Sequence, residues 1–320
     1  MVPDVVTCLA GLAHRRAFLV CQAVLLVCLL ASFSPAAAAD IAILKSSDIA
    51  AYEQAVLGLK AELAEIGTLT EYDLQGDLAK GRKLARKIRA SDASVVVAIG
   101  LKAALAAKLE IVDVPVIYCM VLDPEKYDLR APNLAGISLR VPVERQLATI
   151  RSLLPKAKQI GVLYDPDKTA ALIEEARRAA ARAGVELVER HVRSEKELPA
   201  TLRALLPKVD GIWLVPDSTV LTEDSLRFIL NTTLDHNVPV VGFSSEFVRN
   251  GALASLSINP EDIGHQAGVM ARRLLAAGHV SGLQPTVLPD RVRLAVNLKT
   301  ARYLGLMIPQ EIVARADELF

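Results

Sequence analysis

The chain has little cysteine, few aromatic residues, one tryptophan and almost no net charge, and the first and last of these shortages each exclude a class of function. Three of its four cysteines, Cys8, Cys21 and Cys28, fall within the first 39 residues, which leaves Cys119 without a partner in residues 40–320. A disulfide framework and a cysteine metal site are thereby excluded there. Inside the apolar run from Val112 to Met120, Cys119 reads as a small core residue rather than a nucleophile. The formal net charge is +1, and residues 40–320 carry equal numbers of acidic and basic side chains. Neither nucleic acid nor an anionic membrane surface is an expected partner, because both need a basic face that displaces counterions. Catalytic signatures are missing as well: there is no Gly-x-Ser-x-Gly elbow, phosphate loop, Rossmann glycine triplet or His-Glu-x-x-His helix. His191, His236, His265 and His279 are scattered without ligand spacing, so no metal or cofactor is expected.

Among the features present, the first 39 residues form an export signal in three parts. Positive charge at His14-Arg15-Arg16 precedes an apolar stretch from Ala17 to Phe33, followed by the small-residue site Ala37-Ala38-Ala39. Cleavage before Asp40 and a periplasmic location are expected. The apolar stretch is shorter than the roughly 20 residues a bilayer core requires. Arg15-Arg16-Ala17-Phe18-Leu19 resembles a twin-arginine motif, whereas the strongly apolar stretch behind it favours the unfolded route. Neither Cys21 nor Cys28 follows the small residue that a lipoprotein site requires.

From Asp40 onward, short aliphatic runs alternate with stretches of helical period, the pattern of an α/β protein with parallel sheets. Strands are expected at 41–45, 68–74, 94–99, 114–121, 159–164, 186–191, 211–215 and 238–243. Helices are expected at 49–66, 78–90, 143–154, 169–183, 195–206, 225–236 and 263–277. The pattern is interrupted at Asp123–Asn133 and again near 242–259 and 278–293, three places where the chain can cross between two similar Rossmann-like lobes joined by a hinge. The first lobe is expected to comprise residues 40–138 and about 257–286, and the second 139–256 and about 287–320. Trp213, inside a strand, reads as core.

Open parallel sheets bind ligands beyond the carboxyl ends of their strands. In this chain those ends are polar. Gly100-Leu101-Lys102 follows the third strand, where a glycine turn and a helix N-terminus offer backbone N–H groups to an anion. Asp123 and the cluster Pro216-Asp217-Ser218 offer acids that suit an ammonium group or hydroxyls, although a helix-capping aspartate or a turn former is the commonest use of such residues. Phe243-Ser244 ends another strand, and Ser138 a short extended segment. Ser46, with Ser47 and Asp48, ends the first strand and could equally cap the helix after it.

Several ordered segments resemble the periplasmic substrate-binding proteins of ABC transporters, of the type I family related to tryptophan- and phenylalanine-binding components. They include Pro115-Val116-Ile117-Tyr118 leading to Val121-Leu122-Asp123-Pro124, Asn133-Leu134-Ala135-Gly136-Ile137-Ser138, Ile160-Gly161-Val162-Leu163-Tyr164 and Val215-Pro216-Asp217-Ser218. The resemblance continues through Gly251-Ala252-Leu253-Ala254-Ser255 and from Val296 to Leu306. It implies a type I periplasmic-binding fold and a non-enzymatic receptor that captures an amino acid or small carboxylate and presents it to an inner-membrane ABC permease; a monomer is expected. The alternative is a ligand-sensing module that feeds a membrane receptor; a secreted hydrolase using Asp123 and Glu246 is a weaker third. Two departures stand out. Leu101 and Ala135 occupy positions where the family usually has threonine, which implies a less polar or different ligand.

Overall fold

The computed structural model describes residues 39–277 and 284–320. Residues 1–38, with Cys8, Cys21 and Cys28, and His279 lie outside them, and so does all of the expected export signal except Ala39. In chain order the first lobe contains β1 (Ala39–Lys45), α1 (Ala50–Leu63), β2 (Gly67–Asp73), α2 (Leu78–Arg89), β3 (Val95–Ile99), α3 (Leu101–Glu110), β4 (Val116–Val121) and β5 (Leu134–Ser138). The second contains α4 (Val143–Leu153), β6 (Gln159–Tyr164), α5 (Pro166–Ala183), β7 (Glu186–His191), α6 (Leu198–Leu205), β8 (Gly211–Trp213), α7 (Glu223–Asp235), β9 (Val240–Gly242), α8 (Ser245–Arg249) and β10 (Ala254–Ser257). The chain then returns to the first lobe for α9 (Pro260–Ala277) and β11 (Thr286–Val287). It ends in the second with β12 (Arg293–Val296), α10 (Leu298–Tyr303), α11 (Gln310–Arg315) and β13 (Glu318–Leu319).

The first sheet has the order β11-β5-β4-β3-β1-β2 and the second β13-β12-β10-β9-β8-β6-β7. The strands at the heart of each, β1, β3, β4 and β5 in one and β6, β8 and β9 in the other, pair in parallel. Strands β3 and β4 are buried along their whole length, which is why they read as continuous Val/Ile runs without alternation. The later strand β12 runs antiparallel to β10, closing the second sheet with a different connection. Trp213 is buried in β8, and its indole N–H donates to Gln146 Oε1 of α4 (2.9 Å), so the ring fills core while its one polar atom is satisfied. Burial pushes the Cys119 thiol up to about 12, which keeps it protonated and inert.

The polar stretch Asp123–Asn133 does not leave the first lobe, contrary to its reading as a crossing. It forms one turn of 3-10 helix at Pro124–Tyr127 and delivers the chain back into the same sheet as β5. Proline and charge here mark a strand-to-strand loop. The chain passes between sheets at 139–142, 258–259 and 288–292, as sheet membership shows. The last of these passages is held from the first lobe. Gln266 of α9 donates to the Leu288 carbonyl (3.0 Å) and accepts from the Asp290 N–H (3.0 Å). Asp262, one turn earlier, receives Arg293 of β12 in a two-pronged ion pair (2.7 and 3.0 Å).

Helix α9 is seated on α1 through glycines. A Cβ at Gly264 would sit inside the van der Waals envelope of the Ala55 carbonyl oxygen, one at Gly58 inside that of the Glu261 carbonyl, and one at Gly268 2.6 Å from Glu62 Cβ. Only residues without side chains let the two backbones approach this closely.

Candidate functional site

Each sheet has one point where successive strands lead off in opposite directions, and ligands of open α/β sheets bind beyond the carboxyl ends at that point. In the first sheet it falls between β1 and β3, in the second between β6 and β8. The first brings Ser46 and Gly100 together; the second brings Asp165 and Asp217 together.

At the first, Gly100 has φ 89° and ψ 164°, a region open essentially to glycine alone that costs other residues of order 1–3 kcal/mol. A Cβ there would also lie 2.6 Å from both Ser46 Oγ and Tyr52 Oη. The glycine turn drops the chain directly into α3. Of the N–H groups at its start, Ala103 donates to Ser46 Oγ (2.9 Å) and Ala104 to the Gly100 carbonyl (3.0 Å). Those of Leu101 and Lys102 have no partner among the described residues, and the helix dipole adds to their attraction for an anion. Ser46 therefore caps α3 across 57 residues of sequence rather than the helix that follows it. The Lys102 ammonium reaches the Gly76 carbonyl (2.5 Å).

The neighbouring strand β4 ends irregularly. Its pairing with β5 shifts register between Tyr118 and Val121, and Met120 adopts φ 59°, the left-handed region. Such strain, of order 1–3 kcal/mol, concentrates at functional sites. Beyond it Leu122 is half exposed, and Asp123 is only partly buried, with a carboxylate that no described residue engages. Ser138 is buried, and its hydroxyl donates to the Leu122 carbonyl (3.1 Å), which pins this loop.

In the second lobe the polar groups are mostly spent on one another. Asp217 is buried, with one oxygen accepting from the Asp165 N–H (2.8 Å) and Thr169 Oγ1 (2.6 Å) and the other from the N–H groups of Thr219 (2.9 Å) and Val220 (3.2 Å). A carboxylate has about four lone-pair sites, and here four donors use them. The acid expected to hold an ammonium group or hydroxyls of a ligand is thus occupied within the protein, where its charge stabilises the loop after β8. Pro216 and Ser218 flank it on the exposed surface, and Ser218 Oγ accepts from Lys168 Nζ (2.9 Å), which leaves the hydroxyl proton free to be donated. Phe243 meets Phe247 edge to face, with ring centroids 5.0 Å apart. Ser244 caps α8 through Oγ, which accepts from the Glu246 N–H (3.3 Å).

Of the residues nominated from sequence, Leu101, Lys102 and Asp123 in the first lobe and Pro216, Ser218 and Phe243 in the second present open groups. Ser46, Gly100, Ser138, Asp217 and Ser244 hold the frame. Tyr52, Met120 and Leu122 escaped notice. Burial raises the Tyr52 phenol above its ordinary range, with the nearby Cys119 adding to the effect. A cavity of about 330 Å³ also opens beside the first and third passages between Arg140 and Leu288, but of the nominated residues only Ser138 lines it.

On the β7 side of β6, Tyr164 Oη donates to Glu189 (2.9 Å), whose other oxygen receives Arg177 (2.6 Å). The Arg177 guanidinium first, and then Tyr164, hold the Glu189 carboxyl below its ordinary 4.5, against the opposing effect of burial. A depressed folded value means stability that is present above about pH 4.5 and is lost as pH falls through the lower folded value. Glu189→Gln is therefore expected to flatten the acid limb of the melting-temperature profile. A profile superimposable on that of the parent protein would exclude this role.

A family model described as ABC transporter substrate binding protein matches residues 40–320. The chain belongs to this family. Its members are extracytoplasmic substrate-binding proteins rather than enzymes, and they work with ABC permeases. A curated relative, the tyrosine-binding protein of Clostridioides difficile strain R20291, is 25% identical over 240 residues, covering 72% of this substrate-binding protein and 69% of that one. A domain from Streptococcus pneumonia solved in complex with L-Trp is 25% identical, with TM-score 0.60, over 88% of this chain and 100% of that one. A ligand-free, open substrate-binding protein with adhesive properties from Clostridium difficile is 24% identical, with TM-score 0.77, over 88% and 98% respectively.

Proposed function

We propose that this substrate-binding protein is the periplasmic receptor of an ABC importer and that its ligand is an α-amino acid with a large apolar side chain. The observation that carries the reading is the first switch point. Two unpartnered N–H groups at the start of α3 suit a carboxylate, and the unengaged Asp123 at the end of the adjacent strand suits an ammonium group. Gly100 N–H donates to the Cys119 carbonyl (2.9 Å), so the two strand ends are fixed side by side. Leu101, Leu122 and Tyr52 make the rest of this surface apolar, and Phe243 supplies an aromatic ring from the other lobe. The tyrosine and tryptophan in the names of the relatives support the same class. Export by the N-terminal segment with cleavage before Asp40, and action as a monomer, complete the proposal.

A ligand that touches both lobes favours the closed form by its differential affinity for it. L-Tyr, L-Trp or L-Phe is expected to raise the melting temperature and to reduce the radius of gyration, and Asp123→Asn to weaken that ligand about tenfold or more. A flat response to a full panel of amino acids would refute the reading.

A further inference from the structure

A second cavity, of about 200 Å³, lies in the second lobe and is lined by residues of both α4 and α11. Its floor is apolar, made by Leu256 of β10, Val292 at the end of the third passage, Leu294 of β12 and Ile312 of α11. Its rim carries two guanidinium groups, Arg145 of α4 and Arg315 of α11. Neither forms an ion pair or a side-chain hydrogen bond among the described residues, and Glu311, one turn before Arg315, does not engage it. The contrast with the surroundings is sharp. Arg140 pairs with Glu175, Arg182 with Glu144, Arg291 with Asp317 and Arg293 with Asp262. The two hydroxyls at the rim are directed elsewhere: Thr149 donates to the Arg145 carbonyl (2.9 Å) and Ser152 to the Ala148 carbonyl (2.9 Å). Anion recognition there falls to the arginines alone.

We propose that this cavity is a second ligand site, separate from the strand-end site, and that it takes a small organic carboxylate with an apolar tail. Two guanidinium-bearing side chains that line one space suit a carboxylate, which can accept from each. Four buried aliphatic side chains beneath them suit a short hydrocarbon or phenyl group, and the volume is below the roughly 300 Å³ at which pockets begin to take drug-sized molecules. An ammonium group would meet only positive charge, so amino acids are disfavoured here. This chemistry distinguishes the site from the proposed amino-acid cleft, and the inference does not rest on that reading.

The test is calorimetry on the mature protein with phenylacetate, hexanoate and inorganic phosphate as probes. A saturable response to phenylacetate or hexanoate that exceeds the phosphate response is expected. Arg145→Ala and Arg315→Ala should each weaken it more than tenfold, whereas Arg145→Lys, which keeps the charge but loses the fork, should recover only part of the loss. The response to L-Tyr or L-Trp, where present, should be the same in all three variants. Absence of saturable binding, equal binding of phosphate and the organic acids, or organic-acid binding unaffected by both alanine variants would each overturn the proposal.

Discussion

Gly264→Ala is expected to destabilise the protein by about 3 kcal/mol, the upper part of the range for overpacked cores, and to lower the melting temperature by roughly 10 °C. The added methyl would collide with a carbonyl oxygen of α1, which is backbone held in its own helix and cannot rotate away. The helices would have to separate along their whole contact, which includes Gly58 and Gly268 on the same seam. Alanine ordinarily stabilises a helix relative to glycine by up to about 1 kcal/mol, so the sign of the effect is diagnostic. A variant as stable as the parent in thermal and urea unfolding would show that α1 and α9 do not approach so closely.

Asp217→Ala is expected to cost about 3–4 kcal/mol, because it strands four donors, three backbone N–H groups and one hydroxyl, in a buried loop. Asp217→Asn keeps the shape but turns one acceptor into a donor that faces other donors, and should lose about 2 kcal/mol. Thr169→Val removes a single donor and should lose about 1 kcal/mol. At temperatures well below melting, the affinity for ligand should change less than threefold in all three, since no oxygen of Asp217 is open to a ligand. Urea unfolding followed by calorimetry separates the two effects. Intact stability with lost binding would return Asp217 to the list of direct contacts.

The contrast between Asp217 and Asp123 shows how far the sequence can be read. Both are acids at the end of an apolar strand next to proline, and local pattern treats them alike. What separates them is donors about 50 residues away in sequence, Asp165 and Thr169, which topology brings to one carboxylate and not to the other. The fold itself was largely legible. β6 and β7 begin and end where the aliphatic pattern places them, and Gly184 stops α5 in the left-handed conformation expected of a helix-ending glycine. The N-terminus of α5 is Pro166 with Asp165 as its cap, three residues earlier than periodicity alone suggested; the Asp-Pro pair was the available signal. The short strands β10, β12 and β13 went unread because two to four residues carry too little periodicity to register, and their partners lie far along the chain. Tyr52 belongs to the same class of miss: nothing near it in sequence announces that its hydroxyl rests on Gly100.

The hold of α9 on the third passage has a mechanical consequence. With Leu288 and Asp290 both fastened to Gln266, that passage moves as part of the first lobe up to Asp290, and the next residue, Arg291, already reaches Asp317 of the second lobe (3.0 Å). Arg291 also approaches Asp262 of α9, so at this passage a rotation between the halves would fall on the few residues around Arg291, beside the Asp262–Arg293 pair. A pivot there would turn a small torsional change into a wide arc at the strand ends farthest from it.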